Sequence, residues 1–206
     1  MKKIYLAGAL ILMSFAVSAQ TIIPKFGFAL AKIKPSEDAD GLKSKLGLVI
    51  GAAVDYPLMN NFSLQGELLF VRKGVKFAEG DFEGKHAITY FEIPVLFKAS
   101  FDVNGMKVYG NAGPSLSMAL GGKYEFSGDG ESESGSLKFG SDEDSDYKPM
   151  DIGFQLGGGI VFMEKYQIDL RYGLGLSNIS PDTEGGYTEK NRTLQITFGM
   201  PLNLFN

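Results

Sequence analysis

The chain has 206 residues, 44% of them apolar, with a formal charge of −4 and a single histidine; its mean hydropathy is zero. That balance provides material for one large domain and argues against a helical membrane protein. The acidic excess argues against nucleic acid as a partner, and the absence of cysteine removes disulfide frameworks and Cys-based metal sites.

Residues 1–19 read as a secretory signal peptide. Lys2 and Lys3 form a basic head, Ile4 to Val17 is a mostly apolar run of 14 residues, and Val17-Ser18-Ala19 is a small-residue cleavage site. No cysteine follows, so no lipid anchor is expected there. The domain then spans 20–206. Without Lys2 and Lys3 it keeps 24 acidic residues against 18 basic ones, a net charge of −6.

Beyond the signal the pattern is two-residue alternation, which predicts strands. The first, about 24–33, carries Phe26, Phe28 and Leu30 on one face. The second, about 46–56, sets Leu46, Leu48, Ile50, Ala52, Val54 and Tyr56 against Gly47, Val49, Gly51, Ala53 and Asp55. The third, about 62–73, sets Phe62, Leu64, Gly66, Leu68 and Phe70 against Ser63, Gln65, Glu67, Leu69 and Val71. The fourth, about 87–101, carries Phe91, Ile93, Val95, Phe97 and Ala99 opposite Glu92, Pro94, Leu96 and Lys98. The fifth, about 106–120, opposes Val108, Ala112, Leu116, Met118 and Leu120 to Tyr109, Asn111, Gly113, Ser115 and Ser117. The sixth, about 150–162, opposes Ile152, Phe154, Leu156 and Ile160 to Asp151, Gly153, Gln155 and Gly157. The seventh, about 166–177, opposes Ile168, Leu170, Tyr172 and Leu174 to Gln167, Asp169, Arg171 and Gly173. The last, about 192–205, opposes Leu194, Ile196, Phe198 and Met200 to Thr193, Gln195, Thr197 and Gly199.

The connections alternate in length. Those around 57–61, 102–105 and 163–165 are short, and Asn104-Gly105 is a hairpin signal. Those around 34–45, 74–86, 121–149 and 178–191 are long and polar. Eight strands with short turns at one end and long loops at the other predict an all-β fold: an eight-stranded antiparallel up-and-down transmembrane β-barrel, with periplasmic turns and extracellular loops. Both chain ends then lie on the periplasmic side. The chemistry of the second face supports this over a soluble barrel. It is Gly, Ser, Thr, Asn and Gln, which suits a narrow lumen better than a solvated exterior.

On this reading the odd residues of the fourth strand face lipid, while Glu92 and Lys98 face the lumen. They stand roughly 20 Å apart along one strand and cannot pair with each other. Partners from other strands are expected, in a lumenal polar network of Glu67, Glu92, Lys98, Asp151, Asp169 and Arg171. An eight-stranded lumen is just wide enough for its own side chains, so this network is expected to fill space rather than to gate or bind. Pro94 should force a bulge or a lapse in the ladder, since a closed barrel has no free edge.

The run Tyr90-Phe91-Glu92-Ile93-Pro94-Val95-Leu96-Phe97-Lys98 resembles a motif of the PorT-like outer-membrane barrels of Bacteroidetes. The resemblance extends to Gly110-Asn111-Ala112-Gly113-Pro114, to Asp151-Ile152-Gly153 with Gly157-Gly158-Gly159, and to the apolar last strand. It implies an eight-stranded barrel of the OmpA/OmpX kind in the bacterial outer membrane. Two departures stand out: the chain ends Phe205-Asn206 rather than on the aromatic, and it has no tryptophan, so an aromatic belt would use Tyr and Phe.

Segment 126–147 holds seven acidic residues and one lysine. Asp129, Glu131, Glu133, Asp142, Glu143, Asp144 and Asp146 could contact a cation or a partner, but their spacing fits no EF-hand. A solvated, mobile loop is the expectation. His86 follows Gly84-Lys85 without a serine nearby and reads as an exposed loop residue rather than a base. Gly173-Leu174-Gly175 precedes no helix and is no dinucleotide fingerprint. The triplets at Asn61, Asn178 and Asn191 carry no message in a bacterial protein.

The functional expectation is a non-enzymatic barrel with a packed lumen, acting through its outer loops in binding, adhesion, envelope integrity or support of secretion. No cofactor or metal is expected. The partners would be outer-membrane lipid and other envelope or secretion proteins, with the chain itself a monomer. The alternatives are a lipid-modifying outer-membrane enzyme, which needs a His with a Ser or Asp on one rim, and a secreted lipocalin-like barrel.

Overall fold

The computed structural model describes residues 21–36, 41–80, 82–128, 131–142, 144–182 and 186–203. The signal-peptide segment, Asp129, Glu143 and the terminal Phe205-Asn206 lie outside the described residues. Ten strands follow in chain order: β1 (Thr21–Pro35), β2 (Leu42–Met59), β3 (Phe62–Glu79), β4 (Phe82–Val103), β5 (Met106–Gly128), β6 (Glu131–Ser136), β7 (Met150–Phe162), β8 (Tyr166–Gly175), β9 (Glu189–Gly199) and β10 (Leu202–Asn203).

Eight of them close an antiparallel ring in the order β1-β2-β3-β4-β5-β7-β8-β9, and β9 returns to β1 from Lys25↔Gly199 to Pro35↔Glu189. β10 prolongs that seam against Thr21 and Ile22, and β6 hangs on β5 outside the ring. Alternation sends bulky apolar groups outward: Phe26, Leu48, Phe70, Phe97, Leu156 and Leu170 are all exposed, while Lys25, Val49, Leu69, Lys98, Gln155 and Arg171 are buried. A ring with apolar groups outside and charges inside is the reverse of a soluble barrel.

The turns match their residues. Asn104 and Gly105 take φ of 50° and 79° between the paired Val103 and Met106, as a two-residue hairpin requires. Met163 and Glu164 take φ of 53° and 55° without the help of Gly or Asn.

Three expectations meet these strands, and two of them are corrected. First, the connections around 34–45, 74–86 and 121–149 are mostly strand. β3, β4 and β5 run 18, 22 and 23 residues, roughly twice the 9–11 needed to cross a membrane. They rise as a wall above the apolar band, because Val75, Phe77, Ile88 and Tyr124 keep an inward face going. Second, Pro94 brings the expected lapse in the ladder rather than a bulge; the register runs evenly from Leu69↔Glu92 to Gly66↔Val95, and the pairs between them are missing. The bulge lies higher. Thr89 pairs with Gly121 and Tyr90 with Ala119, so Leu120 is an extra residue. Beyond it the even residues of β5 turn inward. Third, His86 sits within β4 and is partly buried rather than in an exposed loop.

Candidate functional site

The lumen is filled in layers, counted from the short-turn end. Lowest, Lys98 Nζ lies 2.6 Å from Asp55 Oδ2 and donates to Gln65 Oε1 at 3.2 Å, with the ammonium 4.3 Å from the centre of the Tyr109 ring. A vestibule of about 650 Å³ opens below this pair, towards Asn60, Asp102 and Glu164.

The next layer is a charge-balanced quartet. Lys25 Nζ lies 2.7 Å from Glu67 Oε1 and 3.2 Å from Asp169 Oδ2. Arg171 reaches Glu67 Oε2 at 2.7 Å and Asp169 Oδ2 at 3.2 Å. Gln65 donates to Glu67, and the Tyr109 hydroxyl donates to Asp169 at 2.9 Å. The phenol fits because Gly159 stands beside it: a Cβ there would lie 2.3 Å from the Tyr109 oxygen. Two cations, two anions and their hydrogen bonds offset the cost of removing each charge from water.

Above it, Glu92 pairs with Lys73 and accepts from Gln155 at 2.7 Å, Ser117 at 3.0 Å and Gln195 at 3.1 Å. Asp151 accepts from Ser177 and Asn191, both at 2.8 Å. The void beside Glu92 is only about 10 Å³, barely the space of one water. Ile33, Val75, Ile88, Tyr90, Leu137, Tyr147 and Ile179 then form an apolar roof.

All six residues expected in the lumen, Glu67, Glu92, Lys98, Asp151, Asp169 and Arg171, are buried there. Their pairing differs from the expectation in one respect. Glu92 and Lys98 take Lys73 and Asp55, neither of them in that set. Lys25, Lys73, Asp55 and Tyr109 are the members that sequence reasoning missed.

The acidic segment is not the free loop expected of it. Glu131–Ser136 forms β6 against β5, and Leu137 and Tyr147 on either side of the remaining turn are buried in the roof. Those apolar anchors hold the polar stretch between them. Glu133 accepts from Tyr124, Asp146 accepts the Lys138 N–H at 2.7 Å, and Asp142 and Asp144 are exposed. Among the described residues no group of three acidic or imidazole side chains converges as a metal site.

His86 shares a hydrogen bond of 2.8 Å with the Tyr147 hydroxyl and packs edge-on against Phe77, Phe126 and Tyr147. Burial pulls its pKa below the ordinary 6.5.

A family model described as the outer membrane protein beta-barrel domain matches residues 19–180. The chain belongs to that family. It is therefore a protein of the bacterial outer membrane, and the outward apolar band of the ring has its explanation in that place. No curated protein matches this barrel. Among solved structures it is similar to Ail, the attachment invasion locus protein of Yersinia pestis, at 19% identity and a TM-score of 0.44, covering 89% of this chain and 99% of that one. It is similar to OprG from Pseudomonas aeruginosa at 15% identity and a TM-score of 0.46, covering 90% and 97%. It is similar to the outer membrane enzyme PagL at 12% identity and a TM-score of 0.42, covering 85% and 99%.

Proposed function

We propose that the protein is a sealed, non-enzymatic outer-membrane barrel of the PorT-like kind. It acts through the wall that β3 to β6 raise above the membrane, by contact with other envelope components or external partners. The observation that carries this reading is the lumen. Side chains meet across it at the Glu67–Arg171 and Glu92–Gln195 levels, and an apolar roof covers the upper end. Solutes have no path through, so the working surface is outside the ring.

The chain's one histidine supports the non-enzymatic reading. Its ring is held by the Tyr147 hydroxyl and an aromatic cluster, and among the described residues its hydrogen-bond partner is that phenol rather than a Ser or Asp. With both described chain ends at the short-turn end, the wall faces out of the cell.

Two measurements test this. Reconstituted in planar bilayers, the purified barrel should give no ion conductance. A tagged copy drawn from the outer membrane should bring down its partners, and removal of 129–136 should lose them. Steady conductance through the intact barrel would refute the sealed reading.

A further inference from the structure

The chain is acidic overall, yet cations crowd the outward face just above the apolar band. Where Leu30, Leu46 and Phe70 end the band, β1, β2 and β3 continue outward with Lys32, Lys43 and Arg72. The strand register then sets like charges directly opposite one another. Lys43 pairs with Lys76 and Lys76 with Lys85 across three neighbouring strands. Lys32 pairs with Arg192 and Lys34 with Lys190 across the seam.

Like charges facing each other across a ladder destabilise it, and a solvated surface gains nothing from such pairs. Among the described residues Lys85 has one ion pair, with Glu125 at 2.6 Å. Lys45 is drawn into the same cluster. A Cβ on Gly74 would lie 3.0 Å from its Cδ, so its stem crosses that glycine. Burial, with the field of Arg72, Lys76 and Lys85, lowers its pKa. Several cations converge on one rim, and the surface beneath them is apolar.

We propose that this rim binds the phosphate groups of an anionic membrane lipid, whose acyl chains lie on the apolar band below. Two features select a lipid over a soluble anion. The cations begin where the band stops, at headgroup height, and they follow the rim around β9, β1, β2, β3 and β4; where Lys43, Lys76 and Lys85 line an open cavity of about 470 Å³, they share it with Glu83, Glu125 and Glu133, which disfavour a small soluble anion there. Basic residues at this height each add about 1 kcal/mol of attraction to anionic lipid. The lipid contact stands without the functional reading above. Only the leaflet depends on that reading: with the wall facing outward, the ligand is a phosphorylated glycolipid of the outer leaflet.

The test uses the whole barrel in a zwitterionic detergent, titrated with lipid A and with dephosphorylated lipid A, with retention read by native mass spectrometry. Wild type should retain the phosphorylated form selectively. Lys43→Gln, Lys76→Gln and Lys85→Gln combined should weaken retention by about a hundredfold. Lys107→Gln with Lys165→Gln, at the opposite end, should leave it unchanged. Folding is checked in detergent alone, where the triple variant should melt at or above wild type because repulsion has been relieved. Unchanged retention in the folded triple variant, equal retention of dephosphorylated lipid, or displacement of lipid A by inorganic phosphate at comparable concentration would overturn the proposal. Protease cleavage at 102–105 in whole cells would instead refute the orientation and leave the affinity for lipid phosphate standing.

Discussion

Arg171 on β8 and Glu67 on β3 stand four strands apart in either direction around the ring, and their side chains meet across the lumen at 2.7 Å. With Lys25 and Asp169 they form a balanced set, so neutralising any one leaves an unmatched buried charge. Glu67→Gln should cost about 3–5 kcal/mol. Adding Lys25→Met restores the balance, and the double variant should be less damaged than the sum of the single ones. Reversible unfolding in lipid vesicles measures both.

Neighbouring residues on β4 should respond in opposite ways to substitution. Lys98 is 3% exposed and Phe97 is 50% exposed. Lys98→Ala strands Asp55 and should cost about 3–5 kcal/mol, less where vestibule water reaches the carboxylate. Phe97→Ala loses transfer energy and its stacking on Phe62, about 1–3 kcal/mol, without opening an internal cavity. Phe97→Arg should cost about 2–4 kcal/mol if it sits near mid-membrane. A neutral Lys98→Ala beside a severe Phe97→Ala would mean that the faces are swapped.

The β7–β8 turn offers a stabilising change. Lys165 N–H closes it on the Phe162 carbonyl at 3.2 Å, with Met163 and Glu164 both at left-handed φ. Met163→Asn with Glu164→Gly removes the steric cost of that conformation, about 1–2 kcal/mol. The thermal midpoint of the folded barrel in detergent should rise.

The roof should loosen in acid. His86 has a folded pKa below its unfolded value, so above 6.5 both states are neutral and the docked roof has its full stability. As pH falls below 6.5 the undocked state takes the proton first, and docking weakens. Glu189 works the other way, since burial raises its pKa and acid relieves that cost. The difference between wild type and His86→Gln therefore isolates the histidine. The protection factors of the Leu137 and Tyr147 amides, measured against intrinsic exchange at each pH, should fall as pH drops below 6.5 in wild type, with a flatter profile in the variant.

The alternation in β4 was enough to sort Phe97 from Lys98, because one buried face and a period of two leave no other register. Lys25 obeys the same rule, in phase with the small Gly27, Ala29 and Ala31, but those neighbours give the inner face of the first strand no polar pattern that would mark a charge partner. Lys73 stands at the last position that alternation assigns to the third strand. The wall above was hidden for a different reason. Leu120 is an extra residue that reverses the phase of β5, so Tyr124 and Phe126 share the sequence parity of the outward Leu116 and Met118 and yet face inward. Parity carries no sign of that reversal, and the paired glycines at 121–122 read as the start of a loop. The pairing of Glu92 with Lys73 and of Lys98 with Asp55 depends on strand stagger, which no single strand encodes.

The cross-lumen contacts also bear on how the barrel assembles. Lys25 lies on β1 at the seam itself, opposite Gly199 of β9, and its two carboxylates come from β3 and β8. While the seam is open, Asp169 and Arg171 on one flank cannot meet Glu67 on the other. A half-closed sheet would therefore keep one ion pair on each flank, Lys25 with Glu67 and Arg171 with Asp169, and lack the contacts that join the two pairs until the last ladder zips. Closure and the joining of the two pairs are one event, so insertion should proceed without a long-lived open intermediate, and a time course of heat-modifiable folding should show a single kinetic phase.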